Sequence, residues 1–196
     1  MKHLLITGFD PFGGESINPS WEAVSRLPDT IGDYRLTKLQ IPTVFGLATD
    51  SVLSAAAADA PDVILCVGQA GGRDAVTPER VAINMASARF ADNAGNQPVE
   101  TPILPGAPDG IFATVPVAAM ADAITAAGFP GKVSNTAGTF VCNDTLYRLL
   151  HQFAGTTVRI GFLHVPWLPE QAKEGAPSMA LADITAALAA AIGVLG

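Results

Sequence analysis

Short apolar runs alternate with helical patterns along this chain of 196 residues. Five runs have the character of strands, at 3–9, 35–43, 61–69, 131–138 and 157–166. Five segments have the spacing of helices, at 18–27, 44–60, 114–129, 139–153 and 177–196. Repeated alternation of strands and helices predicts an α/β sandwich with a mostly parallel central sheet. No linker interrupts the pattern, so we expect a single domain over residues 1–196.

The ends of the helices and one irregular segment complete this prediction. Asn18 before Pro19 predicts the start of the first helix, because Asn is a good N-cap and Pro suits the first helical position. Thr114, two residues before Pro116, predicts the start of another helix in the same way. The segment 76–111 is rich in Asn, Pro and Gly and lacks helical spacing. We expect it to form a hairpin and loops over one end of the sheet.

Composition excludes several classes of partner and location. The net charge is −7, and no basic run occurs, so neither a nucleic acid nor an anionic membrane surface is an expected partner. Only four apolar residues precede Thr7 and Gly8, which is too short for a signal peptide. With two cysteines in all, a disulfide framework is not expected, and the predicted location is the cytoplasm.

Four unusual loops follow predicted strands, and parallel strands bring their carboxyl ends to one edge of a sheet, where ligands bind. Their sequences are "TGFDPFGG" at 7–14, "GQAGGRD" at 68–74, "SNTAG" at 134–138 and "LHVPW" at 163–167. Neither glycine-rich loop matches a nucleotide-binding fingerprint, and the cysteines and histidines form no zinc pattern. We therefore expect a site at this edge without a nucleotide or a metal.

The two cysteines have different sequence settings. Cys66 lies among apolar residues within a predicted strand, where a thiol stays protonated and inert. Cys142 follows the small residues 136–138 and falls in the first turn of a predicted helix. Free backbone N–H groups and the helix dipole favour a thiolate there, and the same N–H groups can stabilise an oxyanion. Cys142 is therefore the candidate nucleophile, with burial in a core as its alternative.

A cysteine nucleophile usually needs a histidine, and the chain has three. We expect His3 to be a solvated residue at the end of the first strand. His151 is separated from Cys142 by about 13 Å of helix and cannot reach the thiol. His164 ends a predicted strand at the proposed edge, so elimination favours it. The carboxylate that would orient the imidazole stays open among four candidates: Asp10, Asp74, Glu79 and Asp144.

Long segments of the sequence resemble the pyroglutamyl peptidase I (pyrrolidone-carboxylate peptidase) family. "GQAGGRDAVTPERVAIN" at 68–84 is similar to its glutamate motif, and "GKVSNTAGTFVCN" at 131–143 to its cysteine motif. "LLITGFDPFGG", "DNAGNQP" and "GFLHVPWLPEQ" also match in the family's order. The resemblance covers nearly the whole chain. It implies a three-layer α/β/α sandwich, a cytosolic tetramer, no metal or cofactor, and removal of an N-terminal pyroglutamyl residue from peptides.

The resemblance also implies roles for individual residues. It places a catalytic triad at Glu79, Cys142 and His164, which resolves the choice of carboxylate. Arg89 matches an arginine at the family's active site, so we expect it to stabilise an oxyanion together with the N–H of Cys142. The substrate-binding residues expected from the size and polarity of a pyroglutamyl lactam are an apolar set and a polar pair: Phe9, Phe12, Phe140 and Val141, with Asn18 and Gln69.

Two departures from the family pattern leave a second function class open. Trp167 stands where relatives carry a smaller residue, and "CNDTLYRLL" replaces a more apolar continuation. If Trp167 or Asp144 spoiled the pocket, the chain would be a catalytically silent binding module. The complete triad favours the peptidase.

Overall fold

A six-stranded sheet forms the centre of the computed structural model, which describes residues 1–173 and 175–196. The strands of the chain are β1 (Lys2–Phe9), β2 (Thr30–Ile31), β3 (Tyr34–Ile41), β4 (Val63–Gln69), β5 (Thr77–Pro78), β6 (Val81–Ile83), β7 (Gly110–Phe112) and β8 (Arg159–Val165). The central sheet has the order β2-β3-β1-β4-β8-β5. Its four inner strands are parallel, and the short strands β2 and β5 run antiparallel at its two edges. The predicted mostly parallel sheet is confirmed.

Helices cover both faces of this sheet. They are α1 (Pro19–Ser25), α2 (Leu47–Asp59), α3 (Val117–Ala126), α4 (Val141–Gln152) and α5 (Leu181–Gly193). One hydrophobic core contains residues of α1, α3 and α5, and a second core, on the opposite face, contains residues of α2 and α4. The arrangement is the predicted three-layer α/β/α sandwich. No helix among the described residues is long and apolar enough to cross a membrane.

The continuous apolar run of β1 results from burial on both faces. Leu4 and Ile6 belong to the core under α1, α3 and α5, whereas Leu5 and Phe9 belong to the core under α2 and α4. A strand between two helical layers has no solvated face, so its sequence shows no polar alternation. The same pattern in β4 and β8 explains why these three strands are recognisable from sequence.

The segment 76–111 forms the predicted excursion from the sheet. β6 and β7 pair with each other as an antiparallel ribbon. The side chain of Asn143, on α4, accepts a hydrogen bond from the Ile83 N–H at 2.9 Å and donates to the carbonyls of Ile83 and Met85. β5, at the start of the segment, instead joins the central sheet beside β8. The excursion is therefore attached to both the sheet and α4.

Asn18 caps α1 as predicted, since its side chain accepts a hydrogen bond from the Ser20 N–H. Thr114 does not cap α3, so that prediction is wrong. The N-cap position is Pro116, and the Thr114 hydroxyl instead accepts a hydrogen bond from the Ile160 N–H at 2.7 Å. Thr114 is a partner of β8, because the chain enters α3 directly from the sheet.

Two further predictions about local structure are wrong. Residues 131–138 form no strand, and their strand-like pairing is limited to isolated bridges from Gly131 to Val76 and from Ser134 to Glu79, the residues on either side of β5. A short edge strand ending in Pro78, which has no N–H, offers too few groups for a ladder. His3 is buried within β1 rather than solvated, and its ring contacts the Asp59 carbonyl at 2.9 Å and the Thr37 hydroxyl at 2.8 Å.

The contact between β1 and α1 is close enough to require glycine. A Cβ atom at Gly8 would lie 2.6 Å from both the N and the Cα of Trp21. Those atoms belong to the backbone and cannot turn aside as a flexible side chain would. Gly8 therefore sets how near α1 lies to the sheet, directly beside the loop that follows β1.

We expect Gly8→Ala to lower the free energy of unfolding by about 1–3 kcal/mol, because the added methyl group forces α1 away from β1. Urea denaturation followed by circular dichroism measures this change. Gly193→Ala is the matched control, since a Cβ there meets nothing within 4 Å. It should leave stability unchanged or raise it slightly. Equal stabilities for the two variants would contradict the steric account.

Candidate active site

His164 lies near the carboxyl end of β8, directly opposite Gly68 of β4 in the parallel register. Its side chain is buried, and its ring packs 4.8 Å from the ring of Phe162, two residues earlier on the same strand face. Phe162 belongs to the core beneath α2 and α4. The imidazole therefore faces the layer that contains α4.

Glu79 follows β5, the edge strand beside β8. In this antiparallel pair Thr77 lies opposite His164, and the Glu79 N–H donates to the Phe162 carbonyl at 2.9 Å. The Glu79 side chain has no exposed surface, and its Oε1 lies 2.7 Å from His164 Nδ1. A carboxylate can only accept here, so Nδ1 carries the proton and Nε2 is the free nitrogen of the neutral ring.

Cys142 is the second residue of α4, whose N-cap position is Phe140. A Cβ atom at Gly68 would lie 2.9 Å from Cys142 Sγ and 2.8 Å from Phe162 Cζ. The sulfur thus occupies the space that a side chain at position 68 would fill. Because Gly68 is the register partner of His164, this contact brings Sγ to the His164 side of the sheet. Cys66 is fully buried within β4.

Burial decides the protonation of the cysteine and the histidine. It raises the pKa of the Cys142 thiol to about 12, and the negative charge of Glu79 acts in the same direction. Burial also lowers the pKa of His164, although the hydrogen bond from Nδ1 to Glu79 opposes that shift. Both shifts favour an uncharged thiol and an uncharged imidazole in the resting pair. This direction is opposite to the thiolate that the helix terminus predicts, because desolvation penalises the charged form of the sulfur.

The carboxylate of Glu79 is held in its charged form. Burial alone would raise its pKa, but the hydrogen bond and charge of His164, together with the charge of Arg73, hold the pKa below its usual range. Arg73 Nη1 donates to Glu79 Oε1 at 2.6 Å. Sequence reasoning missed Arg73, because a side chain that reaches across three loops leaves no regular spacing in the sequence.

The other three carboxylates considered from sequence lie elsewhere. Asp10 accepts a hydrogen bond from the Thr43 N–H, and Asp74 forms an exposed ion pair with Lys132. Asp144 is buried, accepts from the Gly46 N–H at 3.0 Å and pairs with Arg148 at the surface of α4. All three of these carboxylates therefore bind groups other than His164.

A cavity of about 420 Å³ opens above Cys142 and His164. The predicted residues that line it are Phe9, Phe12, Asn18, Gln69, Arg89, Phe140, Cys142 and His164. Val141 does not line it, because its side chain is fully buried in the core below α4. Glu79 lies behind the histidine and not on the cavity surface. Nine lining residues were not among those predicted from sequence: Thr43, Ala70, Gly71, Arg73, Ser87, Phe90, Ala137, Gly138 and Thr139.

Aromatic rings form one wall of the cavity. The ring of Phe140 lies 6.1 Å from Phe12 and 5.1 Å from Phe90, and Phe12 stacks on Phe90 at 6.3 Å. Phe90 is 47% exposed at the mouth, whereas Phe9 is 2% exposed and packs mainly against Phe162. The wall therefore has exposed rings at the mouth of the cavity and buried rings behind them. It suits a small apolar ring of a ligand.

Polar groups on the other side retain unused hydrogen-bonding capacity. The Asn18 side chain caps α1 through Oδ1 and donates one amide hydrogen to the Asp10 carbonyl at 2.9 Å. Its second amide hydrogen is available to a ligand. Gln69 Oε1 accepts from Gln171 at 3.2 Å and has a second lone pair. The cavity can thus meet both a carbonyl and an N–H group of a small neutral ligand.

The described residues contain no group of three or more His, Cys, Asp and Glu side chains that could hold a metal ion. The arrangement that they do contain is a thiol beside a histidine, a carboxylate behind that histidine, and the first turn of a helix at the thiol. Groups of these kinds can act chemically as a cysteine nucleophile, its general base and an oxyanion site.

Comparisons with known proteins agree over the whole chain. Residues 2–196 match the family model described as pyroglutamyl peptidase. The chain is 53% identical to the pyrrolidone-carboxylate peptidase of Escherichia fergusonii, covering 98% of this chain and 92% of that protein. It is 46% identical to the crystal structure of Bacillus amyloliquefaciens pyroglutamyl peptidase I, with a TM-score of 0.96 and coverage of 100% and 97%. The pyrrolidone carboxyl peptidase of Thermococcus litoralis is 33% identical, with a TM-score of 0.94 and coverage of 100% and 93%.

We expect no thiolate at Cys142 in the resting protein between about pH 6 and pH 8, because burial raises the thiol's pKa far above this range. The measurement is the ultraviolet absorbance of a thiolate, taken as the difference between wild type and Cys142→Ser during a pH titration. Cys66→Ser is the control for the second buried thiol. A Cys142-dependent thiolate signal already present at pH 6 would establish a preformed ion pair and contradict this account.

Proposed function

The chain belongs to the pyroglutamyl peptidase family, and we propose that it hydrolyses the amide bond after an N-terminal pyroglutamyl residue through a triad of Cys142, His164 and Glu79. The observation that carries the triad is the 2.7 Å contact between His164 Nδ1 and Glu79 Oε1, together with the packing of Cys142 Sγ over Gly68, opposite His164 in the sheet. Family membership makes the chain a cysteine-type peptidase.

The first half of the proposed reaction transfers the pyroglutamyl group to sulfur. Cys142 Sγ attacks the carbonyl carbon of the scissile bond as its proton passes to His164 Nε2, which is the free nitrogen of the neutral ring. Glu79 stabilises the imidazolium that forms. His164 then gives that proton to the departing amine as the carbon–nitrogen bond breaks, which leaves a thioester on Cys142.

The second half returns the enzyme to its resting state. A water molecule loses a proton to His164 and attacks the thioester carbonyl, and the carbon–sulfur bond breaks. Cys142 recovers a proton from His164, and pyroglutamate leaves. In both halves the negative charge on the carbonyl oxygen is stabilised by the Cys142 N–H, which has no partner within the first turn of α4, and by Arg89 at the cavity mouth.

The cavity also accounts for the choice of substrate. The rings of Phe12, Phe90 and Phe140 pack against the apolar carbons of the lactam, and Asn18 and Gln69 meet its carbonyl and N–H. Pairing of the lactam N–H discriminates against analogues that lack it. No carboxylate lines the cavity, as suits an N-terminus without a charged amine.

The features that raised the alternative of a silent binding module lie outside the cavity. Trp167 packs over Gly71, where its indole occupies the space of a missing Cβ, and Asp144 is buried beneath the surface of α4. A tetramer and a cytoplasmic location stay predictions from the family resemblance.

Cys142→Ser should reduce release of a chromophore from a pyroglutamyl amide by about a thousandfold or more, because a serine hydroxyl at this site is not deprotonated by His164 as readily as a thiol. The assay is run under reducing conditions on folded protein. Cys66→Ser, the matched control, should retain activity within a few-fold. Retained activity in Cys142→Ser, or equal losses in both variants, would contradict the assignment of the nucleophile.

Phe90→Ala should raise KM for pyroglutamyl substrates by about tenfold, since a ring that is half exposed in the free enzyme is covered by the lactam on binding. Thermal stability should hardly change. Phe112→Ala is the control, because Phe112 is 67% exposed on β7 and does not line the cavity. An unchanged KM in Phe90→Ala would remove this ring from the binding wall.

A further inference from the structure

Arg73 contacts the carboxylate behind the histidine and the loop that leads to the cysteine. Its Nη1 donates to Glu79 Oε1 at 2.6 Å and also to the Thr77 hydroxyl, whereas its Nη2 donates to the Thr136 carbonyl at 3.0 Å. Thr77 belongs to β5, and Thr136 lies six residues before Cys142. One guanidinium therefore joins the segments that carry Glu79 and Cys142.

The contact is made at the same carboxylate oxygen that faces the imidazole. Glu79 Oε1 lies 2.7 Å from His164 Nδ1 and 2.6 Å from Arg73 Nη1, so both donors approach one atom. Nη1 reaches only this oxygen of the carboxylate, and Nη2 is held by the Thr136 carbonyl, so the guanidinium is anchored on the loop before Cys142 while it contacts Glu79. The positive charge of Arg73 also offsets part of the negative charge on Glu79, which would otherwise stabilise a protonated His164.

The backbone of Glu79 is held without this arginine. The Glu79 N–H donates to Phe162 of β8, and the Ser134 N–H donates to Pro78, so the strand and the neighbouring loop remain paired. Removal of the Arg73 side chain therefore leaves these backbone pairs in place, and its direct effects are on the Glu79 carboxylate, on the charge beside it and on the contact with the Thr136 carbonyl. This separates an effect on the reaction from a loss of the fold.

We propose that Arg73 is a positioning residue for the reaction. It orients Glu79 toward His164 and limits how strongly that carboxylate stabilises a protonated imidazole, so that His164 rests as an unprotonated base. This inference rests on the proposed function, in which His164 accepts the thiol proton. Arg73 itself need not touch the reacting atoms.

Five charged or titratable groups surround His164: one carboxylate that favours its protonation, two thiols, and two arginines that oppose its protonation. They are Glu79 after β5, Cys142 on α4, Cys66 on β4, Arg73 in the loop after β4 and Arg89 at the cavity mouth. Burial lowers the pKa of His164, Glu79 raises it and Arg73 lowers it. Loss of Arg73 removes a cation, so the pKa of His164 should then rise.

The test compares Arg73→Gln and Arg73→Lys with Arg80→Gln. Arg80 is an exposed neighbour that donates to Asn135 in the same loop at 2.7 Å but does not contact Glu79, which makes it a matched control. In Arg73→Gln the acid limb of the kcat/KM profile should move to higher pH by about one unit, with about a tenfold larger loss of activity at the acid side than at the alkaline side. Arg73→Lys should keep the limb near its wild-type position while kcat falls, because the charge remains and the two-point contact is lost.

A direct titration of the histidine makes the test independent of turnover. The chain has three histidines, so the ring resonances of His164 can be assigned in NMR spectra with His164→Gln as the reference. In Arg73→Gln the His164 titration should move to higher pH, and in Arg80→Gln it should not. An unchanged His164 titration and acid limb in Arg73→Gln would overturn the proposal, even if the melting temperature fell, since that combination indicates a purely structural ion pair. A wild type that is inactive on pyroglutamyl amides would instead overturn the proposed function.

Discussion

The antiparallel pairing of β5 with β8 is the constraint on which the candidate site depends. β5 is only two residues long, yet it places Thr77 opposite His164. The residue that follows the strand, Glu79, then lies behind the imidazole. A buried carboxylate is costly unless it is paired. Here His164 and Arg73 both contact its Oε1, so the charge is stabilised and the histidine tautomer is fixed. The excursion that follows β5 then carries Arg89 and Phe90 to the cavity.

In the proposed mechanism, close packing rather than a charged resting state prepares the cysteine. Gly68 leaves the space that Cys142 Sγ occupies, and desolvation by the surrounding protein disfavours the charged forms of both the thiol and the imidazole. In this account the proton moves only when a substrate carbonyl is attacked. The field of the helix terminus and the Glu79 carboxylate then stabilise charges that develop during the reaction, where such interactions contribute most to the rate.

The sequence was sufficient to predict the elements that are determined by local patterns. β1, β4 and β8 are continuous apolar runs because both of their faces are buried, and Asn18 with Pro19 marks the start of α1. Thr114 and the segment 131–138 were predicted wrongly because tertiary partners in β8 and on either side of β5 determine their conformations. The position of Cys142 in a first helical turn was correct, but its protonation depends on burial, which no local pattern reveals. Arg73 depends on contacts among three loops and could not be found from spacing.

The most direct test of the central claim is to trap the covalent intermediate. A pyroglutamyl ester of a good leaving alcohol should acylate faster than the thioester hydrolyses, so an acid-quenched sample analysed by mass spectrometry should contain a pyroglutamyl group on the peptide that carries Cys142. His164→Gln, quenched in the same way, should accumulate much less of this adduct, because the thiol then lacks its base. Turnover of the ester with no adduct, or with an adduct on any residue other than Cys142, would contradict the proposed mechanism.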